Sequence, residues 1–288
     1  MRTRLPAMGL ALLLVFLPAA CTRAGSSTAP SASPSAPGGL PGDPDALVLQ
    51  LRNAGGLMAP DYAFRDLPRI SVYADGRVVA DAATSEVHPG SLLPPLVLGR
   101  TGTAQLEQLL AEAEAAGLSS GTDASYAPHD VYDAPATVFV TWGPRGMTRT
   151  SFGALGIGTA AGDPAEAAAR ERALAFLPRL VELAQAAGSG PYRPDGVRLL
   201  VRPYAVTDLA YVREPVAWPL ASSLATAGTP IVEGSPEAGR CLVVGGADLD
   251  RLWPVLAAAD GTTPFVSDGE RYGMIVRPLL PDEAAVCP

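Results

Sequence analysis

The sequence predicts an α+β fold: antiparallel, hairpin-rich sheets carrying two or three packed helices, built as one domain or as two units in one chain. Three observations predict it. Two β-rich runs are joined by Asp75-Gly76, a second pair flanks Gly143-Pro144-Arg145-Gly146, and between and after them leucines and alanines recur every three to four residues.

The elements follow in order. A first strand is expected over 46–51. Residues 70–74 and 77–80 form a tight hairpin, because both central residues of an Asp-Gly turn favour positive φ. After a proline-containing loop, Leu106, Leu109, Leu110 and Ala113 share one face of a helix over 103–117, with Thr103 offered as its cap and Gly117 as its stop. A second hairpin pairs 137–142 with 147–152. Asp163-Pro164-Ala165-Glu166 then supplies a cap, a proline in the first turn and an acid at the third position, so a helix starts there. It should reach about Gly188, bent or broken at Pro178, where a backbone donor is missing. Gly188-Ser189-Gly190-Pro191 punctuates the chain. Beyond it lie strands at 197–201, 240–244, 264–266 and 272–277, the last two joined through Ser267-Asp268-Gly269. A helix over 248–259 carries Leu249, Leu252, Trp253 and Leu256, compromised by Pro254. The expected organisation is a signal peptide at 1–20, a lipidated cysteine with its tether at 21–44, an α+β domain at 45–188 and a smaller α+β unit at 189–288.

The N-terminus carries Arg2 and Arg4, an apolar run from Leu10 to Leu17, then Ala19, Ala20 and Cys21. This is the order of a secretory signal, and the run is too short for an ordinary membrane span of about 20 residues. Residues 17–21, Leu-Pro-Ala-Ala-Cys, resemble the lipobox of bacterial lipoproteins, which implies that Cys21 is acylated; Pro18 departs from that pattern, and the alternative is cleavage after Ala20 with release of a free product. Residues 22–44 are almost wholly Ser, Thr, Ala, Gly and Pro, a composition that buries no core and acts as a spacer. Losing residues 1–20 removes two arginines and no acid, taking the net charge from −8 to −10. Such a chain is repelled by anionic lipid and depends on its anchor to stay near it.

Composition excludes several chemistries. All 21 basic residues are arginine. Without lysine there is no Walker-type phosphate loop, no Schiff base and no Ser-x-x-Lys acyl enzyme. The excess of acids argues against nucleic acid as a partner. Only His88 and His129 are present, with no His-Glu-x-x-His and no Gly-x-Ser-x-Gly, so no metal, cofactor or catalytic residue is assigned. Gly153, Gly156 and Gly158 stand in the wrong order for a dinucleotide site. With Cys21 committed to the anchor, Cys241 and Cys287 are expected to form one disulfide in an oxidising compartment; the alternative is two buried thiols.

The most site-like segment is 119–134. It is a long stretch without an element of its own, and Tyr126, His129, Asp130 and Asp133 within it could hold a polar ligand. The competing reading is a solvated loop, replaceable without loss of folding, in which Asp130 or Asp133 caps a turn.

The lipobox-like start, the tether, Val72-Tyr-Ala-Asp-Gly-Arg-Val78, Tyr132-Asp-Ala-Pro-Ala-Thr-Val138 and Arg277-Pro-Leu-Leu-Pro-Asp-Glu283 together resemble actinobacterial secreted lipoproteins of unknown function. The resemblance implies location and anchoring: the extracytoplasmic face of the cell membrane through a lipid anchor, or secretion where the lipobox is unused. The functional expectation is a non-enzymatic binding or interaction protein for an envelope protein or a small ligand. The alternative is an envelope hydrolase using a carboxylate acid/base pair.

Overall fold

The computed structural model describes residues 39–288 except 57, 83–87, 129–130, 132, 158–162, 189, 206–210, 233 and 288. Cys21, the signal segment and most of the tether lie outside the described residues, as do His129 and Asp130.

The first half builds β1 (Leu47–Ala54), a short helix α1 (Pro60–Arg65), β2 (Ile70–Tyr73), β3 (Arg77–Asp81), β4 (Leu96–Arg100), α2 (Thr103–Ala115), β5 (Ala124–Tyr126), β6 (Ala136–Gly143), β7 (Gly146–Gly153), α3 (Pro164–Ala186) and β8 (Gly190–Pro191). Its strands form an eight-stranded sheet in the order β5-β7-β6-β1-β2-β3-β4-β8. The Asp-Gly hairpin forms as expected, with Gly76 at φ 83°. A Cβ there would also lie 2.4 Å from the Thr101 carbonyl oxygen, so only glycine fits. Period-two alternation sends Leu49, Leu51, Ile70, Val72, Val78, Ala80, Phe139 and Phe152 into one core with Leu106, Leu109 and Ala113 of α2 and Ala173, Phe176 and Leu180 of α3. Each large side chain fully buried there contributes about 1.5–3 kcal/mol.

Two helix details differ from expectation. Thr103 is the first residue of α2 and not its cap; Gly102 takes that place, its amide donating 3.4 Å to Gln105 Oε1. At α3 Asp163 does cap, accepting from the Ala165 amide at 2.9 Å, but the helix continues through Pro178. The lost donor is offset by Phe176 and Leu180, buried on either side of it. Contacts with the core also precede residue 45: Leu40 packs on the core and the Gly39 carbonyl accepts from Trp142 Nε1 at 3.2 Å.

The second half builds β9 (Gly196–Pro203), β10 (Val216–Ala217), β11 (Thr229–Pro230), β12 (Arg240–Gly245), α4 (Gly246–Ala258), β13 (Phe265–Ser267) and β14 (Glu270–Pro278). Six strands order as β10-β13-β14-β9-β12-β11. Val197, Leu199, Val244, Phe265 and Val276 meet Leu249, Leu252 and Leu256 of α4, which, like α3, carries an internal proline, Pro254, without interruption. Both sheets are mixed and not purely antiparallel, because β5–β7 and β10–β13 are parallel pairs. The fold is therefore α+β, with four helices among the described residues.

Residues Pro37–Pro288 group as one compact unit. The C-terminal tail, which follows β14, ties the two sheets. Leu280 is buried with Tyr73, Val79 and Leu96 of the first sheet. The Tyr73 hydroxyl donates to Asp282 Oδ1 at 2.8 Å, and that of Tyr192 donates to the Leu279 carbonyl at 2.8 Å. Arg277, nearly buried, donates from Nε to the Asp66 carbonyl at 3.0 Å and grips Glu283 through both terminal nitrogens at 2.6 and 2.5 Å. Loss of solvent opposes ionisation of Glu283, but the Arg277 hydrogen bonds, the Leu280 amide and the charges of Arg277 and Arg198 together outweigh it and hold the carboxyl below its ordinary value. Asp282 goes the other way, raised by desolvation against the Tyr73 hydrogen bond. Cys241 Sγ and Cys287 Sγ are 2.03 Å apart, with Cα atoms at 5.9 Å, so the expected disulfide fastens the end of the tail to β12. Among the described residues no helix is long and apolar enough to cross a membrane.

Candidate functional site

Segment 119–134 is less loop-like than its sequence. Residues 124–126 form β5, and the Tyr126 ring stacks on Phe152 with centroids 4.9 Å apart. Ser119 is buried, the Gly121 amide donates to Thr148 Oγ1 at 2.9 Å, and Arg170 donates to the Ala127 carbonyl at 2.6 Å and the Gly153 carbonyl at 2.8 Å. Residues 124–126 thus add an edge strand to the sheet, which corrects the expectation of a stretch without an element of its own, while 120–123, 125, 127 and 128 are exposed. Tyr126 faces the core, whereas Asp133 is exposed at φ 63°, so the two described candidates do not converge on one pocket. His88 is exposed and meets Tyr211 edge-on.

A better-formed concavity lies where β9 ends. In the sheet register Val201 stands opposite Arg240 of β12, and Pro203 stands opposite Tyr272 of β14. Opposed residues share a face, so these four side chains line one strip of the sheet. Pro230 of β11 stands opposite Arg240 and extends that strip, and Leu224 and Val232 of the segment after β10 border it, giving a cleft of about 430 Å³. The Leu224 amide donates to Ser267 Oγ at 3.1 Å and fixes that border.

The local folding follows from Gly228. Its φ is 68°, and a Cβ would lie 1.9 Å from the Cys241 carbonyl oxygen, so glycine alone lets residues 226–228 lie against β12. Their carbonyls then meet the Arg240 guanidinium: Nε donates to Ala227 at 2.9 Å, and Nη2 donates to Thr226 at 2.9 Å and Gly228 at 2.7 Å. Arg240 pairs with no carboxylate among the described residues, whereas Arg202, also at the cleft, pairs with Asp61 of α1. Tyr272 is pushed up by burial, with Glu270 and Asp268 adding, and stays a neutral hydroxyl. Sequence reasoning attended to Cys241 and passed over its neighbour Arg240. The available signal was the span 204–239, far longer than ordinary connections and longer than the loop singled out.

The described lining of the cleft holds apolar side chains, the Arg202 and Arg240 side chains and the hydroxyl-bearing Ser235 and Tyr272; Glu233, between Val232 and Gly234, lies outside the described residues. Elsewhere, Asp81 at the end of β3 is pushed up to about 6 by desolvation, opposed by Arg69 and reinforced by Asp66, and Asp66 is itself ion-paired with Arg52. No group of three or more His, Cys, Asp or Glu suited to a metal ion occurs among the described residues. Compared with known protein families, curated proteins and solved structures, the chain matches none.

Proposed function

We propose that this chain is a non-enzymatic, extracytoplasmic binding module, held at the membrane through acylated Cys21, with the cleft at the end of β9 as its ligand site. The anchoring rests on the sequence alone, on the lipobox-like residues 17–21 and the tether that follows. The binding role is carried by one observation: strands β9, β12 and β14 and the chain after β10 border a cleft of about 430 Å³ whose described lining is largely apolar, in the size range of small-ligand sites. A tether suits such a role because it lets a folded unit sample space around its anchor.

Two measurements test the proposal. Labelled fatty acid should enter the wild-type protein and not Cys21→Ser, which should leave the membrane fraction; equal release of both would remove the anchor. Native mass spectrometry of protein extracted from membranes should show a bound small molecule that is lost from Val232→Trp, where an indole fills the cleft. An unliganded wild type, or a ligand retained by that variant, would sink the cleft as the binding site.

A further inference from the structure

We infer that the first sheet holds an ordered internal water molecule, bound by Thr141 of β6, Thr148 and Thr150 of β7 and Ser119 of the segment that follows α2. The site is separate from the cleft at the end of β9 and stands whether or not that cleft takes a ligand. In the β6–β7 register Phe139 stands opposite Thr150, Thr141 opposite Thr148 and Gly143 opposite Gly146, so the three threonines share the face that carries Phe139 and Phe152 into the core. Gly143 lies two residues beyond Thr141 on that face. A Cβ there would stand 2.8 Å from the Ser119 Cβ and 3.2 Å from its Oγ, so the missing side chain is what lets Ser119 settle beside the threonines.

All four residues are buried, none more than 3% exposed. The Thr141, Thr150 and Ser119 hydroxyl oxygens have no hydrogen-bond partner among the described residues, and those include the whole of β6, β7 and 116–128. Thr148 Oγ1 accepts from the Gly121 amide at 2.9 Å and still carries a proton to give. A buried hydroxyl that has lost bulk water and gained no partner is costly, and three on one strip of sheet call for a shared partner. Opposed Cβ atoms lie about 4.5–5.5 Å apart, a gap that one water spans with a hydrogen bond of about 2.8 Å on each side. Hydroxyls donate and accept, which matches a molecule that does both and makes about three bonds when buried. None of the four residues is charged, so an ion would enter without a counter-charge. The water and the Gly121 amide together pin the segment after α2 to the sheet, although its residues 120–123 are exposed.

The experiment is oxygen-17 magnetic relaxation dispersion of the solvent, which registers water molecules that stay in a protein longer than it takes to tumble. Wild type is compared with Thr141→Val/Thr150→Val, which keeps the side-chain volume and removes two hydroxyls. The double variant should lose a part of the dispersion step equivalent to at least one water; an undiminished step would overturn the site. Ser119→Ala, which leaves both strands untouched, is the second variant and is read by thermal melting. Stripping a bound water of one partner should lower the melting temperature. A melting temperature unchanged or raised would mean that the Ser119 hydroxyl stood without a partner, and would remove it from the site. The same sign test applies to Thr141→Val alone: a fall supports the water, and a rise, from deleting an unpaired hydroxyl, overturns it.

Discussion

The first sheet spreads its eight strands under two helices, α2 and α3, while the second sets six strands against the single helix α4, with the described chain between β10 and β12 packing beside it through Leu220 and Leu224. Both bury an apolar face, but the first does so with regular elements whose backbone groups are satisfied internally. The second does so with chain that must find partners one by one, as Arg240 does with the 226–228 carbonyls. The disulfide joins β12 of the second sheet to the tail, and the tail packs on the first sheet through Leu280 and Asp282. Where a helix gives way to other cover, a cleft opens beside β12, the strand that carries the cross-link.

That contrast can be broken or sharpened. The largest expected effect is on the disulfide. Replacing Cys241 and Cys287 with serine should cost about 4 kcal/mol for a sequence separation of 46 residues. Urea denaturation followed in variants that keep only Trp142, in the first region, or only Trp253, in the second, should show one coincident shift, because the tail bonds both sheets. A shift seen by Trp253 alone would mean that the regions unfold separately.

Next is Glu283→Gln, which strips Arg277 of its carboxylate and should cost about 3 kcal/mol at neutral pH. Glu283 is held below its ordinary value, so its contribution is complete above the unfolded value and is lost as pH falls through the folded one. The gap between wild type and variant, measured as melting temperature, should close in acid. A constant gap would assign the effect to packing.

The smallest effect is stabilising. Asp81 is raised to about 6 from 3.8, so its ionisation penalty is absent below 3.8, builds between the two values and is constant above 6. Asp81→Asn should therefore raise stability above pH 6, by under about 1 kcal/mol once solvent screening of this exposed side chain is allowed for, and change nothing at pH 3. Thermal melts across that range would show it, and a destabilised variant at pH 7 would reverse the reading.

The parts of the fold legible in the sequence were those with a local cause. Asp75-Gly76, the 143–146 turn, the Asp163 cap and the leucine stripes of α2 and α4 each act within a few residues, and each element formed. The parts that were not legible depend on distant partners. Strand β4 pairs with β3 although its sequence sits among prolines, and β5, β8, β10 and β11 exist only because a neighbouring strand edge receives them. Pro178, expected to bend or break α3, leaves the helix continuous, because burial on both sides outweighed one missing hydrogen bond. The cleft was hidden for the same reason: Val201, Arg240 and Tyr272 come from three strands, and only the register aligns them. The disulfide, by contrast, followed from counting.

Both sheets finish in strands of two or three residues, β5 and β8 on one and β10 and β11 on the other, and β8 and β11 each contain a proline, Pro191 and Pro230. A rim so brief, with donors missing at the prolines, gives an approaching chain almost no ladder to extend. Crowding should therefore leave these molecules as individuals: at high local density they can slide past one another without zipping into fibres, and their sheets stay closed to recruitment.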